Sequence, residues 1–393
     1  MDAADGGATA AAPPRPLPVQ RALFDIPEEV AYFNCAGLAP QLKAAGLAGQ
    51  AALRRRARPW LGGTGDWFGA VEHRRELFAR VAGVDAEGVA LVPATSYGLA
   101  VAAANLGAGP GRRVLVLAGE FPSGWYTWQR FAQRTGATVA VVERQPGQRW
   151  AEAVLAALDE RAAVVAVPVV HWTDGGLVDL AAVAAGARAA GAALVVDASQ
   201  SLGAMPLDLD AVRPDFLVTV GYKWLLGPLG LGYLYVAERH RDGVPLEENW
   251  ISRQGAEDFT AVGEYHHRYQ PGARRFDVGE RSLFEATPLA VAGLEQLLDW
   301  GVPRVAATLR QLTGRIERQA LASGLTLTSP DRGPNLLGIH LPAGARQAAA
   351  AALAAAGVHA PVMGSLVRVS PHLWTTGQDV DRLVDAIAAA LNR

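Results

Sequence analysis

The sequence predicts an α/β fold, with a mostly parallel sheet covered by helices and a smaller α+β part at the C-terminus. From about residue 86, short apolar runs alternate with longer helical patterns. The runs are rich in Val and Leu at both even and odd positions, which is typical of strands that are buried on both faces. After about residue 285 the pattern changes to long helices with fewer strands.

Seven apolar runs predict the strands of the main sheet. They lie at 89–94, 113–118, 138–143, 163–170, 193–198, 216–220 and 231–236. Helical patterns occur between them at 97–106, 125–135, 151–160 and 179–190. This alternation favours parallel strands joined by right-handed crossovers. Residues 240–284 lack a clear period and predict extended loops over one edge of the sheet.

The C-terminal pattern predicts helices at 288–301, 302–324, 345–356 and 379–391, with apolar strands at 335–341 and 366–370. We therefore divide the chain into a tail (1–18), an N-terminal segment (19–85), a large domain (86–284) and a small domain (285–393). The tail is rich in Ala, Gly and Pro and predicts disorder.

The composition argues against several classes of protein. The 393 residues include 36 Lys+Arg and 38 Asp+Glu, a net charge of -2 with no basic excess for nucleic acid. No apolar run long enough to span a membrane is free of charges and breakers, and the first 18 residues do not resemble a signal peptide. The single cysteine, Cys35, excludes intrachain disulfides and multi-cysteine zinc sites. We expect a cytoplasmic protein without a metal site.

Polar or glycine-containing loops follow five of the predicted strands. They comprise Thr95 and Ser96, then 120–123, 171–176, 197–200 and 221–223. In open parallel sheets, ligands bind beyond the carboxyl ends of the strands. We therefore expect these loops to share one binding site.

Three of these loops contain residues with specific chemistry. Lys223 lies in GYKWLLGPLGLGYLYV (221–236), where an ammonium group would be buried at a cost unless it were paired or joined as an imine to a cofactor aldehyde. Asp197 ends ALVVD and would either cap the next turn or face the pyridine nitrogen of a cofactor. Thr95 and Ser96 begin a predicted helix and would either cap it or bind a phosphate. Together these residues meet the requirements of pyridoxal 5'-phosphate (PLP).

A nucleotide-dependent Rossmann enzyme is the less favoured alternative. The sequence contains no GxxxxGK[ST] motif, and no GxGxxG motif follows the first strand of the sheet. A DNA-binding regulator that uses the same fold would carry an added helix-turn-helix, and the proline-rich N-terminal tail is too short for one.

Three segments resemble a known family. VVDASQSLG (195–203), GYKWLLGPLGLGYLYV and VRVSPHLWTT (367–376) are similar to segments of fold-type I PLP enzymes of the aminotransferase class V family. That family includes cysteine desulfurases, kynureninases and isopenicillin N epimerase-like proteins. The resemblance extends from about residue 32 to the C-terminus and implies the PLP-dependent transferase fold.

The resemblance also implies a role for each matching residue. Lys223 matches the Schiff-base lysine, and Asp197 matches the pyridinium partner. Thr95 and Ser96 match the phosphate-binding pair, Tyr222 matches a further phosphate contact, and Phe121 matches the residue that stacks on the pyridine ring. Gln200 matches a contact near the phenolate oxygen or the imine, and Asp174 matches a contact to the phenolate oxygen. Arg368 matches the arginine that binds the substrate α-carboxylate. The segment RRFDVGERS (274–282) resembles one that reaches the cofactor phosphate of a partner subunit, which implies a homodimer.

The sequence narrows the range of possible reactions but does not select one. Desulfurases carry a catalytic cysteine shortly before the carboxylate-binding arginine, whereas residues 354–366 contain none. We expect a PLP-dependent enzyme that acts at the α carbon of an amino acid or related amine, with aminotransferase as the leading reaction. A β-eliminating C–S lyase and an epimerase of the same family remain alternatives.

Overall fold

The computed structural model describes residues 14–329 and 331–391. Most of the predicted tail, residues 1–13, lies outside this part of the chain. In the described end of the predicted tail, the backbone N–H of Leu17 donates to Thr308 Oγ1 at 2.7 Å.

The described residues form eleven α-helices and twelve β-strands. The helices are α1 (Lys43–Arg56), α2 (Ala70–Ala82), α3 (Thr95–Asn105), α4 (Pro122–Thr135), α5 (Trp150–Ala157), α6 (Leu180–Ala189), α7 (Leu209–Val212), α8 (Thr287–Trp300), α9 (Val302–Ala322), α10 (Arg346–Ala355) and α11 (Gly377–Leu391). The strands are β1 (Ala31–Tyr32), β2 (Val89–Val92), β3 (Arg113–Leu117), β4 (Thr138–Val142), β5 (Ala162–Pro168), β6 (Ala193–Asp197), β7 (Phe216–Val220), β8 (Gly232–Val236), β9 (Leu337–His340), β10 (Val358–His359), β11 (Val362–Met363) and β12 (Leu366–Val369).

The main sheet has seven strands in the order β2-β8-β7-β6-β5-β3-β4. Strand β8 is antiparallel to β2 and β7, and the other neighbours pair in parallel. This confirms the predicted mostly parallel seven-stranded sheet. The direction of β8 could not be inferred from its composition, because apolar content does not indicate strand polarity.

Both faces of the sheet are buried, as its valine-rich runs predict. Along β5, Val165 and Val167 pack into one hydrophobic cluster, while Val164 and Ala166 pack into a second cluster on the opposite face. Every residue of this strand is buried. Because successive side chains of a strand point to opposite faces, only a run that is apolar at both parities can lie between two layers of helices.

The N-terminal segment and the C-terminal part complete the fold. Helices α1 and α2 pack against α8. A three-stranded antiparallel sheet in the order β11-β12-β9 packs with α9, α10 and α11 around a third hydrophobic cluster. Strand β1 pairs in parallel with β10, so a segment from near the N-terminus joins this C-terminal part. None of the described helices is long and apolar enough to cross a membrane.

Candidate active site

A pocket opens at the carboxyl ends of the parallel strands. It is lined by Ala94, Thr95, Ser96, Glu120, Phe121, Ser123, Pro168, Val170, Trp172, Asp197, Ser199, Gln200, Val220, Tyr222 and Lys223. All five loops that the sequence analysis singled out contribute to this lining. The topology explains why, since β2, β3, β5, β6 and β7 all end at the same edge of the sheet.

Lys223 lies three residues beyond the end of β7, in a turn in which Leu226 N–H donates to the Lys223 carbonyl at 3.1 Å. The side chain is 9% exposed, and its Nζ lies 5.8 Å from the ring centroid of Phe121 and 5.7 Å from that of Tyr222. Burial lowers the pKa of Lys223, although the Asp197 carboxylate opposes this effect. The amine forms no salt bridge with any residue of the described chain. A buried amine with a lowered pKa is a better nucleophile than a surface lysine.

The start of α3 forms one end of the pocket. Ala94 is the N-cap residue and offers no side-chain cap, so the first N–H groups of the helix lack that partner, and Ala94 itself lines the pocket. Thr95 Oγ1 lies 3.0 Å from Ser199 Oγ, and the two hydroxyls form a hydrogen bond. Ser96 adds a third hydroxyl to the lining. Free helical N–H groups beside hydroxyls suit an anion such as a phosphate.

Asp197 is the last residue of β6 and faces the same pocket. Its Oδ1 accepts a hydrogen bond from the Ser199 N–H at 2.8 Å. The side chain therefore caps the following turn and still lines the pocket, so the two roles considered from the sequence are compatible. Ser199 was not singled out by sequence reasoning, although it lies between two residues that were.

Gln200 is held firmly from three directions. Its Nε2 donates to the Ala36 carbonyl at 3.0 Å, and its Oε1 accepts from Trp224 Nε1 at 2.9 Å. Its backbone carbonyl accepts from Asn335 Nδ2 at 2.7 Å. One N–H of the side-chain amide remains for a ligand, because an amide nitrogen carries two and Gln200 lines the pocket.

Phe121 and Tyr222 are the two aromatic residues near the lysine amine. Phe121 is the N-cap residue of α4, is 40% exposed, and packs edge-on against Trp172 with centroids 5.3 Å apart. Tyr222 is half-buried, and burial raises the pKa of its phenol. Both rings are thus available to a flat ligand that enters the pocket.

Arg368 is not among the residues that line the pocket. It belongs to β12 and is 7% exposed. Its Nη1 donates to the carbonyl of Trp172 at 3.2 Å, and its Nη2 donates to Asn34 Oδ1 at 3.0 Å. Since Trp172 lines the pocket, the guanidinium is one residue away from the ligand space.

The structure does not bring Asp174 into the pocket. Its Oδ2 forms a salt bridge with Arg144 at 3.0 Å, and its Oδ1 accepts from the Gly176 N–H at 2.9 Å. Both oxygens are therefore engaged away from the cleft. The positions of the Asp174 oxygens therefore do not support its contact with a cofactor, which stays a prediction.

Glu120 is a pocket residue to which sequence reasoning gave no role. Burial, and then the nearby Asp197 carboxylate, raise the pKa of Glu120 to about 8. Its Oε1 accepts from the Phe121 N–H at 2.6 Å. Its place in the loop 120–123 at the predicted sheet edge was visible in the sequence, but its burial and its closeness to Asp197 were not.

The comparison with protein families agrees with this geometry. The model of the family described as aminotransferase class-V matches residues 64–383. The chain belongs to this family. Its members are PLP-dependent and act on small amino-acid substrates, so the protein is a PLP-dependent enzyme.

Three curated relatives carry different activities within the family. An uncharacterized aminotransferase of Bacillus subtilis is 28% identical over 82% of this chain and 85% of its own. Isopenicillin N epimerase of Streptomyces clavuligerus is 29% identical over 80% and 83%. Kynureninase of Deinococcus radiodurans is 31% identical over 70% and 68%. Similarity at this level therefore does not select one reaction.

Two solved structures share the fold. A cystine C–S lyase in complex with its reaction product cysteine persulfide has a TM-score of 0.83 at 19% identity, over 92% of this chain and 98% of its own. The cysteine desulfurase of Thermococcus onnurineus has a TM-score of 0.80 at 18% identity, over 96% and 99%. At these identities the likeness concerns the fold alone.

The pocket of this class-V enzyme fits PLP by the chemistry of its residues. It combines an anion-binding helix start at Thr95, a carboxylate at Asp197 and a buried amine at Lys223. A buried amine without a salt bridge is costly as an isolated group, but not when it is joined to a cofactor aldehyde. The only other lysine of the sequence, Lys43, is exposed and donates to the Ala22 carbonyl at 3.1 Å.

Proposed function

We propose that the protein is an aminotransferase-type PLP enzyme that acts at the α carbon of a small α-amino acid or a related amine. The observation that carries this proposal is the buried Lys223 amine, which has a lowered pKa and shares one pocket with Asp197 and the start of α3. These are three different chemical requirements of one cofactor. Their convergence at a single sheet edge supports the proposal more strongly than any one of them.

The residues that would hold the cofactor follow from their positions. Thr95 and Ser96, with the first N–H groups of α3, would bind the phosphate, and Tyr222 would add a hydroxyl. Asp197 would keep the pyridine nitrogen protonated, and Phe121 would stack on the ring. Gln200 would donate its remaining N–H near the phenolate oxygen. Their places in the lining support this assignment.

When bound, PLP supplies an aldehyde that condenses with amines and a protonated ring that withdraws electrons from the substrate α carbon. Lys223 would hold the cofactor and, once displaced by the substrate amine, would take and return the proton at that carbon. Arg368 would bind the substrate carboxylate through its guanidinium. This would determine which bond to the α carbon stands perpendicular to the cofactor ring. Asp197 would stabilise the charge that develops.

The same residues would also serve a β-eliminating lyase or an epimerase, and these remain the alternative reactions. Cysteine-persulfide chemistry of the desulfurase kind is disfavoured. The single cysteine, Cys35, is fully buried, and burial raises its pKa well above the ordinary value. A thiol in that state is a poor nucleophile.

A homodimer and a cytoplasmic location also remain proposals. The predicted partner-facing segment 274–282 has Arg274 bound to Glu72 and Glu87, and Arg281 bound to Asp277, within the same chain. The exposed residue of this segment is Glu280. Sedimentation equilibrium of the purified protein would measure the mass directly, and a monomer at micromolar concentration would contradict the dimer.

The first experiment concerns the lysine. Protein reconstituted with PLP should absorb in the visible range, and borohydride should abolish that band and attach the pyridoxyl mass to one peptide. We expect that peptide to contain Lys223. Lys223→Ala should show neither the mass nor turnover, whereas Lys43→Ala should behave as wild type. Labelling of Lys43, or turnover by Lys223→Ala, would overturn the proposal.

The second experiment distinguishes the reactions. Wild-type holoenzyme is mixed with each of the twenty standard amino acids in the absence of a keto acid, while the cofactor spectrum, ammonia and pyruvate are followed. Keto acid formed without ammonia, with loss of the visible band, supports transamination. Ammonia with pyruvate supports β-elimination. Formation of the opposite stereoisomer with solvent deuterium at the α carbon, without keto acid or ammonia, supports epimerisation.

A further inference from the structure

A short N-terminal segment joins the two halves of the active site. Residues 31–39, called the strap here, pair with β10 at Ala31 and contact Ser370, whose N–H donates to the Phe33 carbonyl at 2.8 Å. Farther along the strap, Ala39 N–H donates to the Tyr222 carbonyl at 3.1 Å, and the Ala36 carbonyl accepts from Gln200. The strap therefore connects the neighbours of Arg368 with the neighbours of Lys223.

Asn34 lies at the centre of the strap and contacts Arg368. Its Oδ1 accepts from Arg368 Nη2 at 3.0 Å, and the other terminal nitrogen of the arginine is held by the Trp172 carbonyl. Both acceptors are neutral. Arg368 Nε is buried without a hydrogen-bond partner in the described part of the chain, and no carboxylate there forms a salt bridge with this guanidinium.

The Asn34 side chain is itself fixed by its surroundings. Its backbone carbonyl accepts from the N–H groups of Gly37 and Leu38, both at 3.0 Å. A Cβ at Gly37 would lie 2.6 Å from Asn34 Oδ1, so the amide occupies space that only glycine leaves open. The turn that follows Asn34 therefore leaves room for the amide whose oxygen accepts from Arg368.

We propose that Asn34 is a positioning residue for substrate recognition, because it orients the Arg368 guanidinium without neutralising it. The inference rests on the proposed function and adds a selectivity to it. A buried cation that is held only by neutral oxygens keeps its full attraction for an incoming anion. The site should therefore prefer an amine that carries a carboxylate over the same amine without one.

The importance of a neutral side chain at position 34 can be tested by introducing a negative charge there. Asn34→Asp would place a carboxylate beside the guanidinium, at about the present hydrogen-bond distance, and this internal ion pair would compete with the substrate carboxylate. Asn34→Ala would remove the acceptor but leave the cation free. We therefore expect a larger loss of carboxylate recognition in Asn34→Asp than in Asn34→Ala. Gln41→Glu adds the same charge on an exposed side chain and serves as the matched control.

The measurement uses holoenzyme and two probes. The first probe is the standard amino acid that shifts the wild-type cofactor band at the lowest concentration, and the second is the amine that it would give on loss of carbon dioxide. Dissociation constants are taken from the band shift. We expect Asn34→Asp to raise the constant for the amino acid at least tenfold while the constant for the amine, the unliganded spectrum and the melting temperature stay unchanged. Gln41→Glu should resemble wild type.

Two results would overturn the inference while leaving the proposed function in place. One is an Asn34→Asp variant that binds the amino acid as wild type does or more tightly than Asn34→Ala. The other is weaker binding of both probes together with a lower melting temperature, which would indicate that Asn34 has a purely structural role. If wild-type holoenzyme responds to no amino acid of the panel, the proposed function and this inference fail together.

Discussion

His372 is buried in an unusual setting for a titratable side chain. Its ring stacks on Trp374 with centroids 4.7 Å apart, and Trp224 and Trp300 lie 5.8 and 6.1 Å away. Neither ring nitrogen has a hydrogen-bond partner in the described part of the chain. Burial lowers the pKa of His372 to about 3, so the ring is neutral in the folded protein at ordinary pH.

This histidine should make the protein sensitive to acid. The unfolded chain takes up a proton near pH 6.5 and the folded chain only near pH 3, so stability is lost as the pH falls through this window. Between pH 7 and pH 4 the loss from this residue should reach about 3 kcal/mol. Urea unfolding at both pH values should show that His372→Phe loses less stability than wild type. His267→Phe, on an exposed loop, is the control, and equal losses in all three proteins would contradict the prediction.

At the scale of elements, helix α8 supports the loop that carries Lys223. A Cβ at Gly293 would lie 2.7 Å from the Leu225 carbonyl and 2.9 Å from the Leu226 carbonyl. Leu226 already has a positive φ of 56°, which bulky residues rarely adopt. The close approach of this helix therefore depends on a residue without a side chain.

Gly293→Ala should consequently destabilise the protein although alanine favours helices. Overpacking costs about 1–3 kcal/mol, and two contacts with backbone carbonyls at 2.7 and 2.9 Å place this site toward the upper end, above the gain in helix propensity of about 1 kcal/mol. Gly314→Ala in α9, where the nearest atom to a new Cβ is Arg318 Nη1 at 3.5 Å, should instead be neutral or stabilising. The melting temperature should fall and the PLP dissociation constant should rise in Gly293→Ala, and neither should change in this direction in Gly314→Ala. A stabilised Gly293→Ala protein with unchanged PLP affinity would refute the argument.

The sequence predicted most elements of the large sheet and of the C-terminal part because their apolar runs are long and bounded by turn residues. Helices α1 and α2 were not predicted. Lys223, Asp197, Thr95 and Phe121 were gathered correctly into one pocket because parallel strands end at a common edge. The partner of Asp174 could not be foreseen, since Arg144 lies 30 residues away.

Contacts between residues that are far apart in the sequence could not be predicted either. Asn34 and Arg368 are 334 residues apart, and nothing in either local pattern indicates that they meet. The raised pKa of Glu120 depends on burial, which a loop sequence does not reveal. In physical terms, periodicity predicts which side chains are buried along one element, whereas a site is built from pairings between elements.

For the molecule as a whole, a buried ion cluster joins distant parts of the chain. Asp277 accepts two hydrogen bonds from Arg75 of α2, at 3.1 and 2.7 Å, and one from the Leu91 N–H of β2 at 2.7 Å. It also forms an ion pair with Arg281, and all three charged side chains are inaccessible to solvent. Burial alone would raise the pKa of Asp277, but Arg75 and Arg281 outweigh it and hold the pKa below its ordinary value.

Removing the charge of Asp277 should therefore destabilise the whole fold. Asp277→Asn would leave the buried Arg281 guanidinium without a counterion and Arg75 with Glu72 alone, and breaking such a buried pair costs about 3–5 kcal/mol. Asp381→Asn removes one partner of an exposed pair with Arg315, which should cost less than about 1 kcal/mol. Urea unfolding at pH 7 should separate the two variants clearly. Because the folded pKa of Asp277 is depressed, the wild-type advantage over Asp277→Asn should be full above about pH 4 and shrink as the pH falls further. An Asp277→Asn protein within 1 kcal/mol of wild type would mean that water or a neighbouring acid already neutralises the two arginines.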